Sequence, residues 1–189
     1  NVSPADTTVY NIISLANETC PSQGTDFSGT YTVNVVKPAS ITSQPVSTSA
    51  CIGSNIVLSS AANNVTANGV YQWQVRTTSS GSWANIADGA QYLGVTTQNL
   101  TVYNVSIAMI DYDYQLTVNS GAPCKQLLNS NPVKIRVKNV WLGTVGTDWQ
   151  VGGNWSDGNV ASIICDDVHV LNRLYQPTLS NNFVSTITN

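Results

Sequence analysis

Few residues of this sequence could carry out catalysis. His169 is the only histidine among 189 residues, and it lies in the alternating run Asp167-Val168-His169-Val170. A hydrolase triad needs a base beside a nucleophile and a third group that orients the base. The sequence also has no G-x-S-x-G nucleophile elbow. We therefore predict that His169 is a solvent-facing strand residue and that the chain is not an enzyme.

Two pairs of aspartates are candidates for acid–base chemistry or calcium binding: Asp111 with Asp113, and Asp166 with Asp167. Glycoside hydrolysis needs two carboxylates about 5 to 9.5 Å apart. Asp166 and Asp167 are adjacent and would point to opposite faces of a strand. Asp111 and Asp113 fall at a turn into a strand, which favours turn capping. All four stay candidates for a calcium site, and we predict no other cofactor.

Three tryptophans, Trp141, Trp149 and Trp155, are the candidates for ligand binding. An exposed aromatic ring can stack on the apolar face of a sugar. The alternative is that these rings cover the open end of a β unit, which the tendency of tryptophan to be buried favours.

The four cysteines, Cys20, Cys51, Cys124 and Cys165, include no C-x-x-C pair. A zinc site would have to gather ligands from distant segments. Disulfides or free thiols are expected instead in a secreted chain. Four cysteines allow three complete pairings, which the spacing leaves open.

Composition predicts an all-β protein. Charged residues make up 9% of the chain, against about 25% in typical soluble domains. Valine, isoleucine, threonine and tyrosine are plentiful and suit strands. The net charge is −3, and the one basic cluster, Lys134, Arg136 and Lys138, alternates as the solvent face of a strand does. These features exclude nucleic-acid binding. The sequence contains no run of 18 apolar residues, so it predicts no membrane-spanning helix.

The strand signals divide the chain into three segments. Residues 38–138 hold a series of short strands split by turns, in the size range of an immunoglobulin-type sandwich, with Trp73 in its core. Residues 1–37 hold two strand signals and a cysteine-bearing loop, which indicates the closing strands of a preceding unit. Residues 139–189 change to a Trp-, Gly- and Asn-rich composition, which indicates the start of a further β-rich module.

Seven short motifs in the central segment occur in a recognisable order. They are Ile41-Thr-Ser-Gln-Pro45, Cys51-Ile-Gly53, Tyr71-Gln-Trp73-Gln, Trp83-Ala-Asn85-Ile86, Tyr92-Leu-Gly94, Leu100-Thr-Val102 and Tyr112-Asp-Tyr114. Together they resemble the immunoglobulin-like repeats of large secreted proteins of Bacteroidetes. The run from Trp141-Leu-Gly143 to Asp166-Asp167-Val168 is similar to a module that follows such repeats and is often β-helical.

The resemblance implies tandem immunoglobulin-like antiparallel sandwiches, with a partial β unit at each end of this chain. It implies an extracellular or outer-cell-surface location and a structural or adhesive role. The partners would be neighbouring repeats of the same chain, and carbohydrate or another cell-surface component. The alternative function is a carbohydrate-binding accessory module of a secreted polysaccharide-degrading enzyme.

Two further expectations come from the resemblance. Leu116 stands where some relatives carry a cysteine, so the sandwich would rest on apolar packing around Trp73 rather than on a core disulfide. Cysteines at the positions of Cys51 and Cys124 occur together in similar repeats, which implies that these two pair. The two strands beside them run the same way, however, which would place the two thiols near opposite ends of the sandwich. Unpaired thiols or pairing with neighbouring repeats remain open.

Overall fold

The computed structural model describes residues 2–13, 19 and 29–178. The strands are β1 (Thr8–Asn11), β2 (Thr30–Val33), β3 (Ser40–Ser43), β4 (Thr48–Ala50), β5 (Ile56–Ser59), β6 (Ala61–Asn63), β7 (Val70–Arg76), β8 (Ala84–Asn85), β9 (Tyr92–Leu93), β10 (Asn99–Val102), β11 (Asp113–Asn119), β12 (Leu127–Asn129), β13 (Val133–Val137), β14 (Val140–Trp141) and β15 (His169–Val170). Two short 3-10 helices cover Ile107–Asp111 and Gly152–Asn154. In these ranges no helix is long and apolar enough to cross a membrane.

Strands β3 to β13 form two facing sheets. One sheet has the order β4-β13-β11-β7-β8, with β12 also paired to β11. The other side is built from β5-β10-β9 and from the pair β3-β6. Strand β4 runs parallel to β13, whereas every other pair within these sheets is antiparallel. This arrangement confirms the all-β, immunoglobulin-like sandwich.

Residue alternation explains which side of each strand enters the core. In β13 the side chains of Val133, Ile135 and Val137 are buried, whereas Lys134 and Arg136 point outward. A strand places successive side chains on opposite faces, so this apolar–basic alternation fixes the face that packs inward. The solvent-face prediction for Lys134 and Arg136 is confirmed.

Trp73 is the centre of the core, as predicted. It is fully buried, faces Leu116 across the β7–β11 pair, and its indole Nε1 donates to the carbonyl oxygen of Thr97 at 3.0 Å. Antibody-type domains place a disulfide between their second and penultimate strands. Here Leu58 of β5 and Leu116 of β11 are buried in the same cluster. Apolar packing therefore replaces the core disulfide.

Strands β1 and β2 pair antiparallel and precede the sandwich in the sequence. Tyr10 lies opposite Tyr31, and the side chains of Val9 and Tyr31 are exposed. An isolated pair of strands is at best marginally stable in water. The two observed strands match the two predicted signals, and a preceding sandwich stays a prediction. Cys20 lies outside the described residues.

The segment after the sandwich contains short parallel contacts. Strand β14 pairs in parallel with β15, so that Val140 lies opposite His169. A second parallel bridge joins Asp148 to Thr178. The number of residues between these two partners is nearly the same as the number between Val140 and His169. We call residues 139–178 the tryptophan segment. The chain makes two parallel passes within this segment, and the paired residues of the two passes are separated by a nearly constant number of residues along the chain.

Candidate functional site

The junction between the sandwich and the tryptophan segment is held by side-chain hydrogen bonds and a disulfide. Asn139 lies in the two-residue turn between β13 and β14 and adopts a left-handed backbone conformation, with φ of 55°. Its side chain is buried and donates from Nδ2 to the carbonyl oxygens of Ser162 at 2.8 Å and Cys165 at 3.2 Å. Its Oδ1 accepts from the amide of Ser162 at 3.0 Å. One side chain thus holds a loop that is distant in the sequence.

A disulfide closes the same junction. Cys51 is bonded to Cys165, with their Cα atoms 5.6 Å apart. The predicted Cys51–Cys124 pair is therefore wrong, and Cys124 is an exposed free thiol. Cys51 directly follows β4, close in sequence to the Gly53 amide that donates to the Val105 carbonyl. Cys124 follows the C-terminal end of β11, which is the end of the sheet opposite to Cys51. At that end the Thr66 amide donates to the Ser120 carbonyl.

The three tryptophans form one cluster rather than an exposed row. The ring centroids of Trp141 and Trp149 are 5.9 Å apart and stacked, and Trp155 stands nearly perpendicular to both. Trp141 is 0% exposed and Trp155 is 2% exposed, whereas Trp149 is half-buried. The sugar-stacking assignment is therefore wrong for Trp141 and Trp155, because a sugar cannot reach their rings. The burial alternative is confirmed for these two.

Indole hydrogen bonds fix the cluster in place. Trp141 Nε1 donates to the carbonyl oxygen of Tyr175 at 2.9 Å, and Trp155 Nε1 donates to that of Trp149 at 3.0 Å. Gly143 approaches the same Tyr175 carbonyl so closely that a Cβ would collide with it, and its φ of +56° also favours glycine. The cluster therefore ties the two passes of the tryptophan segment together.

Asn154 is a structural residue that the sequence reasoning did not single out. Its side chain is 1% exposed, and Oδ1 accepts from the amides of Val145 at 2.8 Å and Gly146 at 2.9 Å. Its Nδ2 donates to the carbonyl oxygen of Asp148 at 3.0 Å. A buried asparagine must satisfy these groups, because unpaired polar atoms in the interior are costly. The spacing and composition of the sequence do not predict that Asn154 is buried.

Asp113 has a different role from the predicted turn cap. The residue is buried, its Oδ2 lies 2.8 Å from Arg76 Nε, and its Oδ1 lies 3.0 Å from Lys134 Nζ. Both carboxylate oxygens are thus held by cations on the two neighbouring strands. Asp111 ends the first 3-10 helix and lies 3.8 Å from Arg173 in an exposed ion pair. Two cations on one carboxylate make Asp113 a poor calcium ligand.

Asp166, Asp167 and His169 lie near the disulfide. Both carboxylates are exposed and His169 is half-buried, and together with Cys51, Lys138 and Ile164 they border a shallow cavity. Among the described residues, no group of three or more His, Cys, Asp or Glu side chains is placed to hold a metal ion. Calcium binding stays an untested prediction.

The solved structures that resemble this chain match about half of it. No protein family matches the chain, and no curated protein matches it. Among solved structures, the D1 domain of Duf (Kirre) is 19% identical, with a TM-score of 0.41, over 53% of this chain and 96% of that domain. Titin M4 is 12% identical, with a TM-score of 0.39, over 53% of this chain and 95% of that one. A structure titled Dpr1 IG1 bound to DIP-eta IG1 is 12% identical, with a TM-score of 0.36, over 53% of this chain and 95% of that one. The strand order of the chain itself carries the fold assignment.

Proposed function

We propose that this chain is a non-catalytic structural and adhesive segment of an extracellular protein, in which it holds successive modules in a fixed arrangement. The observation that carries the proposal is the disulfide between Cys51 of the sandwich and Cys165 of the tryptophan segment. Stable disulfides belong to oxidising compartments, which supports an extracellular location. The resemblance of the repeat motifs supports a bacterial setting.

A fixed joint is unusual between neighbouring modules, which by default move relative to one another. Here three features oppose that motion. Val140 is fully buried in the core cluster of the sandwich although it belongs to the next segment. The amide of Lys138 donates to the carbonyl of Ala50 at 2.8 Å, and Ala50 is the residue before the disulfide-bonded Cys51. Asn139 bonds the loop that carries Cys165. Hydrophobic, hydrogen-bonded and covalent links thus act at one place.

The tryptophan segment supports the proposal of a further β-rich module over residues 139–189. Its parallel pairs, Val140 with His169 and Asp148 with Thr178, repeat at nearly the same separation along the chain. A constant spacing between stacked parallel strands is the pattern of a coiled β-solenoid. At the other end, the β1–β2 pair supports residues 1–37 as closing strands of a preceding immunoglobulin-like unit. Residues 38–138 are then the complete sandwich between them, and neighbouring repeats are its first partners.

Nuclear magnetic resonance in a weakly aligning medium tests the fixed joint. We expect the amide residual dipolar couplings of residues 40–137 and 139–178 to fit one alignment tensor. In the Cys51→Ser/Cys165→Ser variant, the couplings of residues 40–137 and those of residues 139–178 should begin to require different alignment tensors. Two independent tensors in the disulfide-bonded protein would contradict the proposal.

The non-catalytic part of the proposal has its own test. The protein is incubated with a panel of polysaccharides and esters, and product release is followed. We expect no turnover. Turnover that disappears in His169→Ala or Asp111→Ala would overturn this part, because those residues carry the catalytic chemistry that the sequence could offer.

A further inference from the structure

The outward face of the sheet formed by β8, β7, β11 and β13 is polar, and several of its side chains bond to one another. Residues that alternate with the buried Trp73 and Leu116 must point away from the core. The residues of this face that matter below are Gln74, Arg76, Asn85, Asp113, Gln115, Lys134 and Arg136. We call this set the amide face. None of its residues takes part in the contacts that join the sandwich to the tryptophan segment.

Three amides on the amide face form a hydrogen-bonded row across three strands. Gln115 Nε2 donates to Gln74 Oε1 at 2.8 Å, and Gln74 Nε2 donates to Asn85 Oδ1 at 2.8 Å. Gln115 is only 7% exposed although it points outward. The row is polarised, because Asn85 Nδ2 is left as a donor at one end and Gln115 Oε1 as an acceptor at the other. Asn85 is an exposed residue, and among the described residues that are not exposed no buried side-chain polar atom lacks a partner, so both free ends reach solvent.

A charged row runs beside the amides. Arg76 is held between Asp113, at 2.8 Å, and the ring of Trp83, whose centroid lies 4.7 Å from the guanidinium carbon. Lys134 bonds the other oxygen of Asp113 at 3.0 Å. Arg136 is the next outward-facing residue of β13 and is exposed. Arg76 and Lys134 thus share the carboxylate of Asp113, and Arg136 adds a third cation, which leaves this set of residues with more positive than negative charge in a chain whose net charge is −3.

We propose that the amide face binds an acidic glycan, a polysaccharide that carries carboxylate groups. A sugar hydroxyl both donates and accepts, so a run of hydroxyls can satisfy both free ends of the amide row. The carboxylates of the glycan match the surplus positive charge of Arg76, Lys134 and Arg136. The amides are already held in place by one another, so binding costs little side-chain entropy.

A protein partner fits this face less well. The centre of a protein–protein interface is apolar and aromatic and contains few charges. The centre of the amide face consists of Gln74, Gln115 and the Arg76–Asp113 pair, and its neighbouring aromatic ring, Trp83, is already covered on one side by Arg76. Nucleic acid also fits less well, because three cations, two of them shared with Asp113, do not make a phosphate-binding stripe.

Affinity electrophoresis and calorimetry with polygalacturonate, alginate and neutral xylan test the proposal. We expect retardation in the two acidic gels, little in xylan, and weaker binding as salt screens the charges. Gln74→Ala and Arg136→Gln should each weaken binding about five- to tenfold, the loss expected for one hydrogen bond or ion contact. The matched controls are Gln176→Ala and Lys125→Gln, which alter exposed residues off this face and should leave binding unchanged.

Each alternative result is informative. Equal binding to xylan, or no binding of the unaltered protein to either acidic glycan, would overturn the proposal. So would binding that Gln74→Ala and Arg136→Gln leave intact in variants whose thermal unfolding is unchanged. A result of either kind leaves the fixed joint untouched, since the amide face and the junction share no residue.

Discussion

Cys51 and Cys165 are 114 positions apart in the sequence and are covalently joined. The bond encloses almost the whole sandwich together with the first pass of the tryptophan segment. Cys51 directly follows β4, and Cys165 lies on the loop that Asn139 also holds. The disulfide therefore stabilises a junction between two modules rather than the interior of one.

Removing this bond should destabilise the protein and loosen the tryptophan segment first. By the loop-closure argument, a loop of this length contributes at most about 4–5 kcal/mol to the free energy of unfolding. We expect Cys51→Ser/Cys165→Ser to lose about 2–5 kcal/mol in urea titrations, and hydrogen exchange to accelerate over residues 139–178 before it does in β7 or β11.

The control for that experiment is Cys124→Ser. Cys124 is exposed and unpaired among the described cysteines, so its replacement should change the free energy of unfolding by less than about 0.5 kcal/mol. Non-reducing peptide mapping should recover a linked Cys51–Cys165 peptide. Recovery of Cys51 joined to Cys124 instead would contradict the structure.

The core should be most sensitive at Trp73. Trp73→Ala removes a fully buried indole and should lower the free energy of unfolding by about 3–5 kcal/mol in denaturant titrations. Trp73→Phe keeps much of the apolar volume but leaves the Thr97 carbonyl without its donor, so it should cost less than Trp73→Ala. Trp83→Ala, at a half-buried position, is the matched control. An alanine at position 73 that costs no more than one at position 83 would show that Trp73 is not the centre of the core.

The sandwich was predictable because its signals are local. Tyr71, Trp73 and Val75 alternate with glutamines in β7, and Val133, Ile135 and Val137 alternate with basic residues in β13. Period-two alternation is a local signal for the face of a strand that packs inward. The same alternation is enough to predict that the basic residues of β13 point outward.

The cysteine pairing and the tryptophan cluster were not predictable in the same way. Cys165 meets Cys51 only because Val140 enters the sandwich core and Asn139 turns the chain back. That contact depends on how one module packs against another, and no periodic pattern encodes it. Trp155 looks the same in the sequence whether it is buried or exposed, since composition predicts a tendency and not a location.

Asn154 should be essential for the order of the tryptophan segment. Asn154→Ala leaves two amides and one carbonyl without the partners that its side chain supplies, so we expect a loss of about 2–4 kcal/mol in local stability. Hydrogen exchange at Val145 and Gly146 is the direct measurement. The near-ultraviolet circular dichroism of the three clustered indoles should also weaken, while exchange in β7 and β11 stays slow.

Asn159→Ala provides the comparison for Asn154→Ala. The Asn159 side chain bonds only Asp157, at 3.2 and 3.5 Å, within the same turn. Its loss should therefore affect exchange at Val145 and Gly146 little. Equal protection of these amides in Asn154→Ala and in the unaltered protein would show that the asparagine does not organise the loop.

Alkaline pH should destabilise the sandwich through Tyr92 and Tyr114. Their hydroxyl oxygens lie 3.3 Å apart, and burial raises the pKa of both phenols above the ordinary value near 10. The folded state therefore keeps protons that the unfolded chain releases. The contribution of the two phenols to the free energy of unfolding is fully present below about pH 10. It is lost as the pH rises further, by up to about 1.4 kcal/mol per pH unit for each buried phenol. Urea midpoints measured from pH 8 to 11.5 should fall steeply above pH 10. Tyr114→Phe, which removes one of the two groups, should make that fall shallower, whereas Tyr31→Phe on the exposed β1–β2 pair should keep it steep. An unchanged slope in Tyr114→Phe would mean that other groups cause the alkaline transition.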